Sequence, residues 1–497
     1  MSLFIKKPLD QLLKMASDPS KGLKRTLGPG NLVALGIGAI IGAGLFVRTA
    51  AAAGEHAGAA VTLSFIFASI GCAFAGLCYA EFASMIPVAG SAYTYAYVTM
   101  GEFVAWVIGW ALVLEYALGA ATVSIAWSEF LNKLLGGAIP YEWCHSPFQK
   151  ILDGDVMRYG IMNAPALIIL LALSLLLIKG MQESAVFNTI IVIVKVAIVV
   201  TFIAVGWQFI NPANHTPYLI PADAKPALLP DGSTYSYESI WDHGWFGVIA
   251  GAGVVFFAFI GFDAISTAAQ ESKNPKKDMP IGILGSLVIC TILYILFSYV
   301  LTEVAPFTDF MLKGKEASVA YAIDAYMPGY HWLSTLVTVA ILAGFSSVIL
   351  VMLMGQSRVF YSMALDGLLP KVFSALHPKF RTPYKSNALL FVFVGLIATL
   401  LPGDITGDLT SIGTLFAFVL VCAGVLVMRK ANPDAVRSFK TPWVPFVPIM
   451  GILVCSAMII GLDSVTQLVA FIWLIIGLVV YFLYSKRNSL LRNPKVN

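Results

Sequence analysis

The sequence predicts an all-α integral membrane protein of about twelve spanning helices, of which the first and the sixth are interrupted. Only 12% of the 497 residues are charged and 59% are hydrophobic, whereas about a quarter of a soluble globular domain is charged. Apolar runs long enough to cross about 30 Å of hydrocarbon recur along the whole chain. Glycine and other small residues break two of these runs near their middle.

The apolar runs also predict the domain organisation. The first run should stay in the mature protein, because a largely polar stretch precedes it and no small-residue cleavage site follows a short apolar core. One transmembrane domain, residues 31–486, is therefore expected between an N-terminal tail of residues 1–30 and a C-terminal tail of residues 487–497. The predicted spans are 31–54, 60–86, 103–132, 164–180, 184–208, 245–271, 281–304, 332–364, 386–402, 406–428, 446–462 and 466–485.

The positive residues predict the orientation. If the first span runs outward and the others alternate, most of the 31 lysines and arginines fall in or beside the inner segments. Both termini are therefore expected in the cytoplasm of a multi-pass protein of the cell (plasma or inner) membrane. The formal charge of +4 then reflects orientation among membrane lipids, and no nucleic-acid partner is needed to explain it.

Cysteine and histidine positions argue against an enzyme. Five of the six cysteines fall inside predicted spans, and only Cys144 lies in an outer loop. Disulfide and metal sites therefore have little support. The histidines lie in loops or at span ends, and no nucleophile, acid pair or metal cluster shares a depth in the bilayer. We expect no cofactor, no metal and no catalytic site.

Two interrupted spans divide the chain into repeats. The span 31–54 contains "IGAIIGAGLF", and the span 245–271 contains "GAGVVFFAFIGFDA". Each opens a group of five spans, and because five is odd the two groups would have opposite topology in the membrane. This arrangement is typical of inverted-repeat transporters, whose broken helices meet at a binding site near the midplane.

The glycines of the first span allow three interpretations. A phosphate loop is excluded, since neither G-x-G-x-x-G nor GxxxxGK[ST] is present. Gly38 and Gly42 form GxxxG, which suits close helix packing. The stretch Gly42, Ala43, Gly44 favours a break in the helix, where N–H groups near Gly44 would face an anion and carbonyls near Ile40 and Ile41 would suit an ammonium. A zwitterion fits both ends of such a break.

Ionisable residues inside spans are expensive in lipid and usually functional. Lys195 lies about 16 Å from each membrane face by helical rise, and its side chain reaches only about 6 Å, so it is expected inside the bundle. There it could titrate or hold the broken helix through a carbonyl. Glu115 could line the site or make a structural hydrogen bond. Asp263 could stabilise a helix, gate the site or contact a ligand, and Arg48 could snorkel or pair near the outer face.

Five motifs in this order resemble the amino acid/polyamine/organocation transporter superfamily, and within it the bacterial twelve-span form of the cationic amino acid transporter branch. The resemblance covers nearly the whole chain. The motifs are "GIGAIIGAGLFV", "YAEFASMIPVAGSAYTYAY", "FFAFIGFDAISTAAQESKNPKKDMPIGI", "GQSRVFYSMALDGLLPKVF" and "RKANPDAVRSFKTPWVPFVPI".

The resemblance implies a leucine-transporter-like fold, with two inverted five-span repeats followed by two further helices. It also implies that backbone N–H groups of Ala43 and Gly44 hold the substrate carboxylate and that Glu115 and Met352 select the side chain. Lys195 would stand where sodium-coupled relatives hold sodium, which favours proton coupling. The carbonyls implied for the substrate ammonium are those of Ile40, Phe257, Ala258 and Ile260.

Two departures from the family pattern matter. Ala43 stands where many relatives carry Ser or Thr, so backbone alone must bind the carboxylate. Gln270 stands where a paired-acid version is common, which puts in doubt any gate that relies on two acids.

The expected function is proton-coupled import of neutral, and to some extent cationic, L-amino acids by alternating access. The expected partners are the amino acid, protons and membrane lipids, and the sequence identifies no accessory subunit. An amino acid exchanger, a transport-inactive sensor and an ion channel remain as alternatives.

Overall fold

A computed structural model describes residues 3–8, 27–88, 90–153, 156–179, 185–228, 234–312, 318–380 and 382–493. Most of the predicted N-terminal tail, residues 9–26, and the last four residues of the C-terminal tail lie outside the described residues.

The described chain is dominated by apolar helices, which we number α1 to α12. Eight helical segments have the length and hydropathy to cross a membrane, and four shorter apolar helices accompany them. One of the eight, Gly44–Met85, contains the second half of α1 and the whole of α2. The bounds are α1 Pro29–Ile40 continuing over 44–57, α2 Val61–Met85, α3 Glu102–Leu134, α4 Ala164–Lys179, α5 Ala185–Gly206, α6 Gly244–Val255 continuing to Glu271, α7 Pro275–Val304, α8 His331–Leu365, α9 Tyr384–Leu400, α10 Gly403–Ala431, α11 Phe446–Gly461 and α12 Ser464–Asn488.

Short elements occupy the two ends of the bundle. On the end that carries the first and last described segments, residues 3–8 and 489–493, the helix Ser91–Thr99 joins α2 to α3. The opposite end carries the helices Tyr141–Cys144, Phe307–Leu312 and Ser318–Tyr326 and two small antiparallel hairpins. The hairpins are formed by β1 Lys150–Asp153 with β2 Val156–Tyr159 and by β3 Ala227–Leu228 with β4 Thr234–Tyr235.

The long connection between α5 and α6 lies over the end of α1. The hydroxyl of Tyr237 donates to the carbonyl of Gly54 at 2.9 Å, and the N–H of Ala60 donates to the carbonyl of Tyr218 at 3.0 Å. This connection therefore covers the far end of the first helix.

Contacts between equivalent helices agree with the predicted repeat. Taking α1–α5 and α6–α10 as the two groups, four of the five equivalent pairs are in contact: α1 with α6, α2 with α7, α3 with α8 and α4 with α9. A pseudo-two-fold axis in the membrane plane brings the two copies of an element together in this way. Helices α11 and α12 pack against α10, α11 also against α2 and α6, and α12 against α3, as two added helices outside the repeat should.

A buried ionic cluster ties both ends of the described chain to the bundle. Glu102 at the start of α3 is fully buried and accepts hydrogen bonds from Arg492 at 2.5 Å and from the hydroxyls of Tyr481 and Tyr97 at 3.1 Å. Arg492 also donates to the carbonyl of Leu3 at 3.1 Å. The first and last described segments therefore lie on the same face of the protein.

Candidate binding site at the two helix breaks

The break in α1 falls where the sequence predicts it. The first half ends at Ile40, Ile41 is extended with ψ of 103°, and helical structure resumes by Gly44. The N–H of Leu45 donates to the carbonyl of Gly42 at 3.3 Å. The first N–H groups of any helix lack intrahelical acceptors, so the restart turns backbone donors toward the break.

The break in α6 is built differently. A short 3₁₀ turn over Phe256–Phe259 follows the first half, Ile260 is extended with ψ of 136°, and Gly261 has φ of +112°, which favours glycine. A 3₁₀ helix, Asp263–Glu271, then completes the crossing. Because 3₁₀ turns and extended residues replace α-helical geometry here, several carbonyls of this stretch leave the regular α-helical ladder.

The two breaks meet backbone to backbone. A Cβ placed on Gly44 would lie 2.2 Å from the Cα and 2.5 Å from the N of Ala258. A side chain at this position would therefore push the two helices apart. The glycine is required for this close approach, while Gly36 similarly leaves no room for a side chain against Ser286 of α7.

A tyrosine from α7 bridges the two breaks. The hydroxyl of Tyr294 lies 3.0 Å from the carbonyl oxygen of Ile40 and 2.9 Å from that of Ala258, so it can donate its hydrogen to either. These are two of the four carbonyls that the family resemblance assigns to a substrate ammonium. A third, that of Phe257, accepts from the N–H of Ile260 at 3.3 Å. The sequence offers no signal for Tyr294, which is one aromatic residue among many in an apolar helix.

Lys195 lies inside the bundle on the first half of α1. Its Nζ donates to the carbonyls of Gly38 at 2.8 Å and Ile41 at 3.0 Å, and the residue is only 3% exposed. A Cβ on Gly344 of α8 would lie 2.6 Å from its Cε, so that glycine makes room for the lysine stem. A cation at the C-terminal carbonyls of a half-helix is favoured by the helix dipole. The lysine therefore holds the broken helix through carbonyls, as one of the two sequence interpretations expects.

Two buried carboxyl groups lie together beside the breaks. Glu115 is fully buried, and neither of its carboxyl oxygens makes a geometrically satisfactory hydrogen bond among the described residues. The groups that face it are the carboxyl of Asp263 and the side chain of Thr414. Asp263 itself accepts from the hydroxyl of Tyr116 at 2.8 Å. Glu115 and Asp263 thus form a buried acid pair, which corrects the sequence expectation that no acid pair shares a depth in the bilayer.

A local change of helical pitch places Glu115. Residues Leu114–Leu118 of α3 form a π-helical turn between two α-helical stretches. Such turns are rare and frequently occur at functional sites, because they shift the side chains that follow them. The sequence of this stretch carries no proline or glycine cluster that would reveal the turn.

Met352 and Val348 of α8 face different parts of the site. Met352 is 2% exposed, and its Sδ would lie 3.6 Å from a Cβ placed on Gly119 of α3. A Cβ on Gly42 would instead meet Val348 at 3.1 Å. Met352 therefore lies against α3, while Val348, which sequence reasoning missed, lies beside Gly42 at the α1 break.

Arg48 closes the far side of the site. It is 3% exposed and pairs with two carboxylates of α10, Asp404 at 3.2 Å and Asp408 in a shorter contact. Of the two interpretations that the sequence leaves open for Arg48, the structure therefore shows pairing. The pair joins the second half of α1 to the first turns of α10.

Two interrupted helices, each the first of a group of five, meet near their middles. This arrangement defines a membrane transporter of the inverted-repeat class. The sequence profile of the family described as "Amino acid permease" matches residues 27–493. The chain belongs to this family, within the amino acid/polyamine/organocation superfamily, and is a membrane transporter of amino acids and not an enzyme. The resemblance given by its motifs is confirmed.

Several characterised proteins are similar over most of their length. The chain is 41% identical to "Branched-chain amino acid permease BcaP" of Bacillus subtilis, with 98% of each chain covered. It is 39% identical to "Methylthioribose transporter" of the same organism, with 99% of each covered. It is 33% identical to "Cationic amino acid transporter 4, vacuolar" of Arabidopsis thaliana, with 88% of this chain and 68% of that protein covered.

Proposed function

We propose that the protein imports neutral L-amino acids together with protons, by alternating access around the two helix breaks. The observation that carries the proposal is the buried ammonium of Lys195 on the carbonyls of Gly38 and Ile41, at the end of the first half of α1. A titratable cation in this position links the proton to the helix that forms the binding site.

The breaks offer recognition for the charged ends of an amino acid. The N–H groups of Ala43 and Gly44 begin the second half of α1, where the partial positive charge of the helix favours a carboxylate. The substrate ammonium would donate hydrogen bonds to the carbonyls of Ile40 and Ala258 in place of the Tyr294 hydroxyl. The carbonyls of Phe257 and Ile260 lie in the α6 break together with that of Ala258. Backbone groups would then bind both ends of the zwitterion.

Lys195 can couple the proton to movement of the half-helix. A protonated lysine amine has three donors and no acceptor, so it can bind both carbonyls at once. When the amine loses its proton, it keeps two donors and gains a lone pair, and the attraction of its charge to the helix end disappears. The first half of α1 is then held less tightly, which allows it to move between the two access states.

The side-chain pocket favours an apolar substrate. Val348 and Met352 contribute apolar atoms on the α8 side. The relatives named branched-chain amino acid permeases, 41% and 32% identical, support leucine, isoleucine and valine as first substrates. Methylthioribose, named for a relative that is 39% identical, has neither an ammonium nor a carboxylate, so it would leave both ends of the proposed zwitterion site unused.

Cationic amino acids are a second candidate. The specific observation in their favour is the buried carboxyl group of Glu115, whose oxygens make no geometrically satisfactory hydrogen bond among the described residues and which lies beside Asp263. A lysine or arginine substrate could donate to this pair. Relatives named cationic amino acid transporters, such as the one 33% identical, support the same possibility.

Uptake into proteoliposomes tests substrate and coupling together. Radiolabelled leucine, arginine and methylthioribose are offered with and without an imposed inward proton gradient. We expect the gradient to drive leucine accumulation. If the gradient has no effect while internal leucine stimulates uptake, the protein is an exchanger and the coupling proposal is wrong. Leucine binding without flux would instead indicate a sensor.

A lysine replacement isolates the coupling step. We expect Lys195→Met to abolish gradient-driven accumulation. The matched control is Lys133→Met, which removes a lysine that pairs with Asp324 at 3.4 Å at the end of α3. If both variants respond to the gradient like the wild type, Lys195 has no coupling role.

We also propose that both termini face the cytoplasm of the cell membrane and that residues 31–486 form the transport unit. The support is the excess of lysine and arginine on the face that carries the termini. Reporter fusions at each terminus, one active only inside the cell and one only outside, test this orientation.

A further inference from the structure

A pocket of about 690 Å³ lies on the face that carries the first and last described segments, away from the two helix breaks. Its walls come from the start of α7 and from the connection between α10 and α11. The lining residues are Asn274, Lys276, Lys277, Pro280, Ile281, Leu284, Gly285, Ser438 and Phe439. None of them belongs to the site described above.

The chemistry of the pocket changes along α7. Lys276 and Lys277 lie in its first turn and are exposed. Leu284 and Gly285 lie about 12 Å further along the helix by its rise, and Ile281, 42% exposed, lies between. The pocket is thus cationic at the first turn of α7, and it is apolar about two turns further along the helix. An amphiphile aligned with the membrane normal has the same order of groups.

No carboxylate among the described lining residues neutralises the cationic end. The nearest acid in sequence, Asp278, is buried, and its carboxylate accepts from the N–H of Asn274 at 3.0 Å and from the hydroxyl of Ser272 at 3.3 Å. The charge of Asp278 is therefore stabilised by hydrogen bonds within the turn. The start of a 30-residue helix adds partial positive charge at the same end.

The other wall is held firmly in place. The N–H of Phe439 donates to the hydroxyl of Ser84 at 3.3 Å, and the neighbouring Arg437 donates to Glu81 at 3.1 Å. Both partners lie in α2. The connection between α10 and α11 is thus fixed on the bundle, so the pocket is a built feature of the fold.

We propose that this pocket binds one anionic phospholipid, with the headgroup phosphate on Lys276 and Lys277 and an acyl chain along Ile281, Leu284 and Gly285. Basic pockets between membrane helices suit anionic headgroups, because the phosphate gains charge pairing while the chain stays in hydrocarbon. A lipid bound here contacts both α7 and the connection between α10 and α11, and so joins the second repeat to the added helices.

Native mass spectrometry of the purified full-length protein tests the proposal. The protein in detergent is titrated with phosphatidylglycerol and with phosphatidylcholine of identical chains. We expect wild type to bind one phosphatidylglycerol more tightly than phosphatidylcholine. Lys276→Gln with Lys277→Gln should weaken phosphatidylglycerol binding by about fivefold for each lysine and about 25-fold together.

A matched pair of lysines provides the control. Lys379→Gln with Lys385→Gln removes two lysines from the same face but outside the pocket, and should leave binding unchanged. Leucine uptake and gel-filtration profile show that each variant is folded. Equal phosphatidylglycerol affinity for the two double variants overturns the proposal.

A third variant separates a lipid from a free phosphate compound. Ile281→Trp should block the apolar half of the pocket and lower phosphatidylglycerol binding, although both lysines remain. Glycerol phosphate, which carries the headgroup charge without chains, should bind far more weakly than the lipid. If glycerol phosphate binds as tightly as phosphatidylglycerol, or if Ile281→Trp binds the lipid like wild type, the lipid assignment is wrong.

Discussion

Removing the hydroxyl of Tyr294 tests whether this residue and the substrate compete for the same carbonyls. In the structure the hydroxyl lies within 3.0 Å of the carbonyl oxygens of Ile40 and Ala258. If an ammonium binds these carbonyls, the hydroxyl must leave first. Tyr294→Phe should therefore destabilise the protein without substrate and strengthen substrate binding by the same amount.

The structure bounds the size of this effect. A hydroxyl has a single hydrogen, so Tyr294→Phe removes the equivalent of one hydrogen bond although two carbonyls are affected. Interhelical hydrogen bonds in membrane proteins contribute about 0.6 kcal/mol on average and up to about 1.7 kcal/mol. The expected gain in leucine affinity is therefore about threefold to twentyfold.

Two measurements on the same preparation read out the prediction. Thermal unfolding without substrate should shift to lower temperature in Tyr294→Phe, and equilibrium binding of radiolabelled leucine should tighten. Tyr79→Phe is the control, because Tyr79 is also fully buried and its hydroxyl has no partner among the described residues. This control should change neither value appreciably. Weaker leucine binding by Tyr294→Phe would refute the reasoning, since the hydroxyl would then be a ligand of the substrate.

Two further substitutions test other parts of the fold. Gly344→Ala places a Cβ 2.6 Å from Cε of Lys195, so we expect it to displace the lysine and to lose proton-driven leucine accumulation. Glu102→Gln leaves the buried guanidinium of Arg492 without its carboxylate, which should destabilise the protein by about 3–5 kcal/mol and lower its unfolding temperature markedly.

Each of these substitutions has a matched control. Gly30→Ala adds a Cβ that meets no atom within 4 Å, so accumulation should be retained. Glu142→Gln removes a partly exposed carboxylate that lies 4.0 Å from Arg158, an exposed pair whose loss should cost at most about 1 kcal/mol. Full accumulation by Gly344→Ala, or equal stability of the two glutamine variants, would contradict these predictions.

The sequence predicts the breaks because their cause is local. Gly261 permits a positive φ that other residues disfavour, and Gly44 permits the close approach of Ala258; such glycines are conspicuous in an apolar span. Lys195 is predicted for a similar reason, since a charge far from both membrane faces must find a partner inside. Each inference needs only the position of one residue in its own helix.

The residues that the sequence does not reveal depend on contacts between helices. Tyr294 reaches the breaks from α7, Val348 reaches Gly42 from α8, and Asp263 reaches Glu115 across the bundle. No sequence periodicity within one helix indicates these contacts between helices. The start of α7 differs from prediction for another reason: the helix begins at Pro275, before the predicted span 281–304, because its polar first turn continues beyond the apolar run.

The role proposed for Tyr294 also predicts different effects on net import and on exchange. Carbonyls at membrane depth need a hydrogen-bond donor when substrate is absent. Tyr294 can supply that donor to Ile40 or to Ala258, so a carrier with this tyrosine can return without substrate, which net import requires and exchange does not. Tyr294→Phe should therefore slow net leucine uptake more than leucine exchange. We expect the ratio of exchange to net uptake in proteoliposomes to rise in this variant and to stay unchanged in Tyr79→Phe; an unchanged ratio in both would show that the hydroxyl has no part in the return step.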